Sequence, residues 1–107
     1  MTENTLERIK SEIASDKIVI FIKGTPEFPQ CGFSARTVEI FQSLGVPFHT
    51  VDILANPDIR STLPEYSHWP TFPQVFIQGK LIGGCDIVSE MHERGELKPL
   101  IEQALKE

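Results

Sequence analysis

Residues 18–34 read Ile18-Val19-Ile20-Phe21-Ile22-Lys23-Gly24-Thr25-Pro26-Glu27-Phe28-Pro29-Gln30-Cys31-Gly32-Phe33-Ser34. The first five form a short, unbroken, mostly β-branched run, the pattern of a central strand buried on both faces. Lys23 to Pro26 ends that run, and a proline-containing loop continues to Gln30. Ala35, Val38, Phe41 and Leu44 then recur at helical spacing, up to a stop near Gly45 and Pro47. A thiol, Cys31, therefore falls where a loop enters a helix.

Working outward, Phe48 to Ile53 alternates as a second strand, parallel to the first across that helix, which makes a βαβ unit. Asn56-Pro57 opens a helix reaching about Tyr66. Val75–Ile77 and Lys80–Ile82 read as strands joined by a tight turn at Gln78-Gly79. Gly83-Gly84 breaks the second of them before a helix that Asp86 starts, and Leu97, Leu100, Ile101, Ala104 and Leu105 mark a last helix. Upstream, Asn4 and Glu7 resemble a capping box, and Leu6, Ile9 and Ile13 carry a first helix to about Ser15. The order α-β-α-β-α-β-β-α-α favours an α/β fold, a mixed sheet with helices on both faces.

A chain of 107 residues, 40% hydrophobic, suffices for one packed core, so residues 1–107 read as a single domain. The net charge of −5 lacks the basic excess that a phosphate backbone demands, so nucleic acid is not an expected partner. No run resembles a membrane span, and the opening segment lacks the apolar centre of a signal peptide. We expect a cytoplasmic product, with an organelle after presequence removal left open. Two cysteines, Cys31 and Cys85, are too few for a disulfide scaffold or a four-thiolate zinc site, and His49, His68 and His92 show no spacing pattern with either.

Reactivity is the better question for Cys31. At the first turn of a helix, unpaired backbone N–H groups and the helix dipole favour a negative charge, and cysteines so placed titrate at roughly 3.5–7.5. Lys23, at the end of the buried strand, can add a cation nearby. Free cysteines are often only small buried hydrophobes. The flanks of Cys31 argue otherwise: Gly32, a glycine that permits close approach, and the Pro/Gly-containing loop before it.

Taken together, Lys23-Gly24-Thr25-Pro26, Pro29-Gln30-Cys31-Gly32-Phe33-Ser34, Trp69-Pro70-Thr71-Phe72-Pro73-Gln74-Val75 and Gly83-Gly84-Cys85-Asp86 closely resemble the signature of the monothiol glutaredoxins, over essentially the whole chain. The resemblance implies the thioredoxin fold. It also implies a cis Phe72–Pro73 peptide that turns the Phe72 backbone toward Cys31, able to pair with an extended peptide such as the cysteinyl unit of glutathione. Without the other motifs, Trp69, Phe72 and the prolines would read as a rigid apolar turn.

Gly83-Gly84-Cys85-Asp86 offers backbone N–H groups to a carboxylate and one carboxylate to an ammonium, a pair suited to the γ-glutamyl end of glutathione. Asp86 also reads as a helix N-cap. By resemblance Lys23 and Arg60 meet the glycine carboxylate, a group that arginine can grip bidentately. By itself, Arg60 on a polar helix face would be a solvated charge.

In a dithiol glutaredoxin a second cysteine stands three positions after the first; here that position is Ser34, so no local disulfide can form. A lone thiolate beside a glutathione site suits either mixed-disulfide exchange or coordination of soft iron. A [2Fe-2S] cluster takes four thiolates. Cys31 and one glutathione thiol from each of two chains supply four, which predicts a cluster-bridged homodimer. The resemblance implies a carrier that serves client apo iron–sulfur proteins, commonly with a BolA-type partner. The rival expectation is a glutathione-dependent thiol–disulfide oxidoreductase acting through Cys31, with Cys85 a resolving thiol if it lies within reach.

Overall fold

The computed structural model describes residues 3–107. Its elements are α1 (Glu3–Ala14), β1 (Ile18–Ile22), α2 (Gly32–Ser43), β2 (His49–Asp52), α3 (Pro57–Ser67), β3 (Gln74–Ile77), β4 (Lys80–Gly83), α4 (Cys85–Glu93) and α5 (Leu97–Lys106). The strands form one sheet in the order β2-β1-β3-β4. β1 runs parallel to β2, while β3 is antiparallel to both β1 and β4. This is the thioredoxin fold.

Every residue of β1 is buried because the sheet separates two cores. Ile18, Ile20 and Ile22 face Val38, Phe41, Val88, Leu97 and Ile101 of α2, α4 and α5. Val19 and Phe21 face Ile9, Ile13, Ile59 and Leu63 of α1 and α3. The two-residue period of a strand thus feeds both sides, which explains why the run has no polar alternation. Phe21 meets Phe76 edge-on with ring centroids 5.6 Å apart, and removing such a buried ring costs about 3–5 kcal/mol.

Two expected starts differ. Helix α1 is already under way at Glu3, so Asn4 lies inside its first turn, exposed, and does not cap it. Asp86 is the second residue of α4; the N-cap is Gly84, in extended backbone with φ −98° and ψ −160°. The strand runs on through Gly83, and after Gly84 the helix begins at Cys85, before Asp86 is reached. The β3–β4 turn matches its reading, with φ of 53° at Gln78 and 79° at Gly79. Outside the core, Asp58 accepts hydrogen bonds from Thr5 and Arg8, and Arg8 also reaches Asn56 at 2.6 Å, which clamps α1 to the start of α3.

Candidate thiol and ligand-binding site

Cys31 is the N-cap of α2, in extended backbone with φ −154° and ψ 135°, and its carbonyl accepts the first helical bond from Ala35 at 2.9 Å. The N–H groups of the first turn are left for whatever lies before them. Here that is the sulfur of Cys31. The thiol is held below its ordinary titration range, first by the backbone N–H of Ser34, against an opposing effect of burial. The Phe33 N–H, the charge of Lys23 and the Ser34 hydroxyl lower it further. None of these contacts reaches full capping-bond geometry, so the stabilisation is electrostatic and spread over several groups.

The loop ahead of Cys31 is fixed by its own backbone. Gln30 N–H donates to Lys23 C=O at 2.8 Å, and Gly24 bridges Pro29. Gly24 has φ +94°, and a Cβ there would stand 2.5 Å from the Phe28 carbonyl oxygen, so only glycine lets the loop fold back this tightly. Asp52, at the end of β2, accepts the Gly24 and Leu54 N–H groups at 2.9 Å each. Sequence reading passed over Asp52; a lone acid at a strand end carries no pattern of its own.

All eight residues singled out from the sequence line one cleft of about 610 Å³: Lys23, Cys31, Arg60, Thr71, Phe72, Pro73, Cys85 and Asp86. Trp69, Pro70, Phe33, Pro64, Gly84 and Ile87 complete its lining, and of these Phe33, Pro64 and Ile87 had drawn no functional reading. Arg60 and Pro64 stand one helical turn apart on α3. Phe72–Pro73 is cis. Cys85, the first residue of α4, is half-buried, with its sulfur 3.7 Å from the Ser89 hydroxyl. Both cysteines are free.

Two glycines of the site differ in their surroundings. A Cβ on Gly32 would meet nothing within 4 Å, so no part of this chain requires a glycine there. A Cβ on Gly84 would lie 3.1 Å from the Pro73 carbonyl and 3.3 Å from Trp69 Nε1. Gly84 therefore lets α4 close against the loop of residues 69–73, a packing role that the sequence did not suggest.

A cleft that joins a polarised thiol at a helix N-terminus to a cis-proline loop, on a thioredoxin fold, defines a class of thiol-bearing proteins of that fold. The glutaredoxin family model matches residues 18–82. The chain is 54% identical to "Glutaredoxin 4" of Haemophilus ducreyi over 99 residues, 92% of each chain. Among solved structures, reduced poplar apo GrxS14 is 48% identical with a TM-score of 0.80, covering 98% of this chain and 94% of its own. A buckwheat glutaredoxin–glutathione complex is 31% identical with a TM-score of 0.84, covering 97% and 96%. The chain belongs to the glutaredoxin family, in its monothiol branch.

Proposed function

We propose that the cleft binds glutathione and that Cys31, with the glutathione thiol, holds half of the ligands of a [2Fe-2S] cluster shared between two copies of the chain. The cluster is cargo, carried in the cytoplasm to apo iron–sulfur proteins with a BolA-type protein as partner. The observation that carries this reading is the pairing of a polarised, half-exposed Cys31 with a buried serine, Ser34, where a resolving thiol would stand. A thiolate with no local disulfide to form stays available to iron.

Among the described residues, no group of three or more His, Cys, Asp or Glu could hold a metal ion. In this reading one chain offers the cluster the Cys31 sulfur, and the remaining three come from a second Cys31 and two glutathiones. The support for glutathione is the chemistry of the lining. Lys23 and Arg60 suit a carboxylate, Asp86 suits an ammonium, and the backbone of residues 71–73 suits an extended peptide. Exposed Phe33, beside Cys31, gives the cleft mouth an apolar rim suited to a second copy. BolA and client partners rest on the family alone.

Anaerobic reconstitution with iron, sulfide and glutathione, followed by visible absorption and sizing, tests the proposal. Wild type should gain a glutathione-dependent chromophore and dimerise, Cys31→Ser should do neither, and Cys85→Ser should do both. No glutathione-dependent cluster in wild type would overturn it. Loss of the cluster in Cys85→Ser would reassign a ligand, and fast turnover of a glutathionylated substrate would favour the oxidoreductase instead.

A further inference from the structure

We propose that Gln74 is a positioning residue for glutathione: it holds one wall of the cleft in the shape the ligand needs. This rests on the glutathione reading above. Gln74 opens β3, opposite Phe21 in the antiparallel register with β1, and its side chain is fully buried. A buried carboxamide must find partners or lose the hydration it had in water. Its Nε2 finds two, donating to the Trp69 carbonyl at 2.9 Å and the Thr71 carbonyl at 3.2 Å. Both carbonyls belong to residues that line the cleft.

Phe72 packs on the core and α4 closes against the loop, but the segment's backbone has few hydrogen bonds of its own. Pro70 and Pro73 have no N–H to give. Outside the regular elements, no backbone–backbone hydrogen bond among the described residues involves residues 69–73. The two bonds from Gln74 tie the loop to β3, a central strand of the sheet. Phe72, whose backbone the bound peptide would pair with, lies directly after the second tethered carbonyl.

The other half of the same carboxamide points to a specific role. Gln74 Oε1 is buried with no hydrogen-bond partner. An apolar side chain of similar volume would remove this orphaned acceptor but leave the Trp69 and Thr71 carbonyls without their donor. What an apolar residue cannot supply is the pair of N–H donors. The molecule keeps an unsatisfied oxygen in order to keep a donor under the loop.

The experiment compares wild type with Gln74→Met, which keeps length and apolar volume, and Gln74→Glu, which keeps shape but loses the amide donors. Circular dichroism first fixes a temperature at which each is folded, so that a variant that fails to fold leaves the other to decide. Three quantities are read: glutathione affinity by calorimetry, the rate of Cys31 with iodoacetamide, and its rate with glutathione disulfide. In the last reaction the Cys31 thiolate attacks one sulfur, the glutathione–glutathione bond breaks, a Cys31–glutathione bond forms, and one glutathione thiolate leaves.

Both variants should bind glutathione about tenfold more weakly and react about tenfold more slowly with the disulfide, while the iodoacetamide rate stays within about twofold. Unchanged glutathione affinity would overturn the inference and leave the reading of the cleft intact. An equal loss of iodoacetamide reactivity would overturn it by showing a general disturbance of the site. A wild type that binds no glutathione would overturn the reading of the cleft and this inference with it.

Discussion

The hydroxyl oxygen of Ser34 accepts the backbone N–H of Lys23 at 3.1 Å, tying the end of β1 to the first turn of α2 directly beneath Cys31. Ser34 is fully buried, and its N–H and hydroxyl both act on the thiol. Ser34→Ala removes the hydroxyl and leaves a buried N–H without its acceptor, a loss of about 1–3 kcal/mol. The Ser34 N–H, which acts most strongly on the thiol, stays in place. We expect lower stability in urea and a modest upward move of the Cys31 titration, read from the pH profile of alkylation. An unchanged profile would remove the hydroxyl from the account of the thiol.

The lowered titration of Cys31 also links folding to pH. A group that is more acidic in the folded state than in the unfolded chain adds no stability while both forms are protonated. Its contribution appears as pH rises through the folded thiol's range, and is complete above the unfolded value of about 8.5. It is lost again as pH falls through the folded range. Comparing wild type with Cys31→Ser cancels every other titrating group. The stability of wild type relative to Cys31→Ser should rise with pH until the unfolded thiol ionises, then level off. A fall over the same window would mean that burial had won and raised the thiol.

The strands were legible because their burial leaves a local imprint: an unbroken apolar run for β1 and a Gln78-Gly79 turn between β3 and β4. Cys31 was legible from its place at a helix start, with Lys23 nearby, but the rest of the eight lining residues emerged mainly as a set of motifs, since Arg60 or Thr71 alone has no local pattern that marks it. What stayed hidden depends on distant neighbours. Gln74 is polar in sequence and buried in fact because the Trp69 and Thr71 carbonyls happen to face it. Asp52 matters through an N–H 28 residues away. Helix starts misled for a different reason: cap preferences are weak, and the extended backbone of Gly84 starts α4 before Asp86 is reached.

Two glycines of the site should respond oppositely to alanine. At Gly32, the first residue of α2, a methyl group meets open space, so Gly32→Ala should raise stability by up to about 0.5–1 kcal/mol through the entropy of the unfolded chain. At Gly84 the methyl would press on the Pro73 carbonyl and Trp69, so Gly84→Ala should cost about 1–3 kcal/mol. It should also push the 69–73 loop off α4 and weaken glutathione binding. Thermal unfolding of both variants, with glutathione titrations, checks the pair. A stable Gly84→Ala with full affinity would mean that the two walls can separate without consequence for the ligand.

Arg60 offers the last test, because charge and geometry can be separated there. It lines the cleft from α3, one turn before Pro64, whose missing N–H leaves the Arg60 carbonyl without its usual helical donor. The guanidinium is exposed and its strength lies in a planar fork that can meet both oxygens of a carboxylate at once. Arg60→Ala should weaken glutathione binding about three- to tenfold, with a smaller loss at high salt, where the ion pair is already screened. Arg60→Lys keeps the charge and loses the fork. If bidentate contact is what Arg60 supplies, lysine should recover little of the affinity; if only charge matters, it should recover most of it. Titrating glutathione against wild type and both variants at low and high salt decides between a geometric grip and a diffuse attraction, and equal affinity in all three would take Arg60 out of the site.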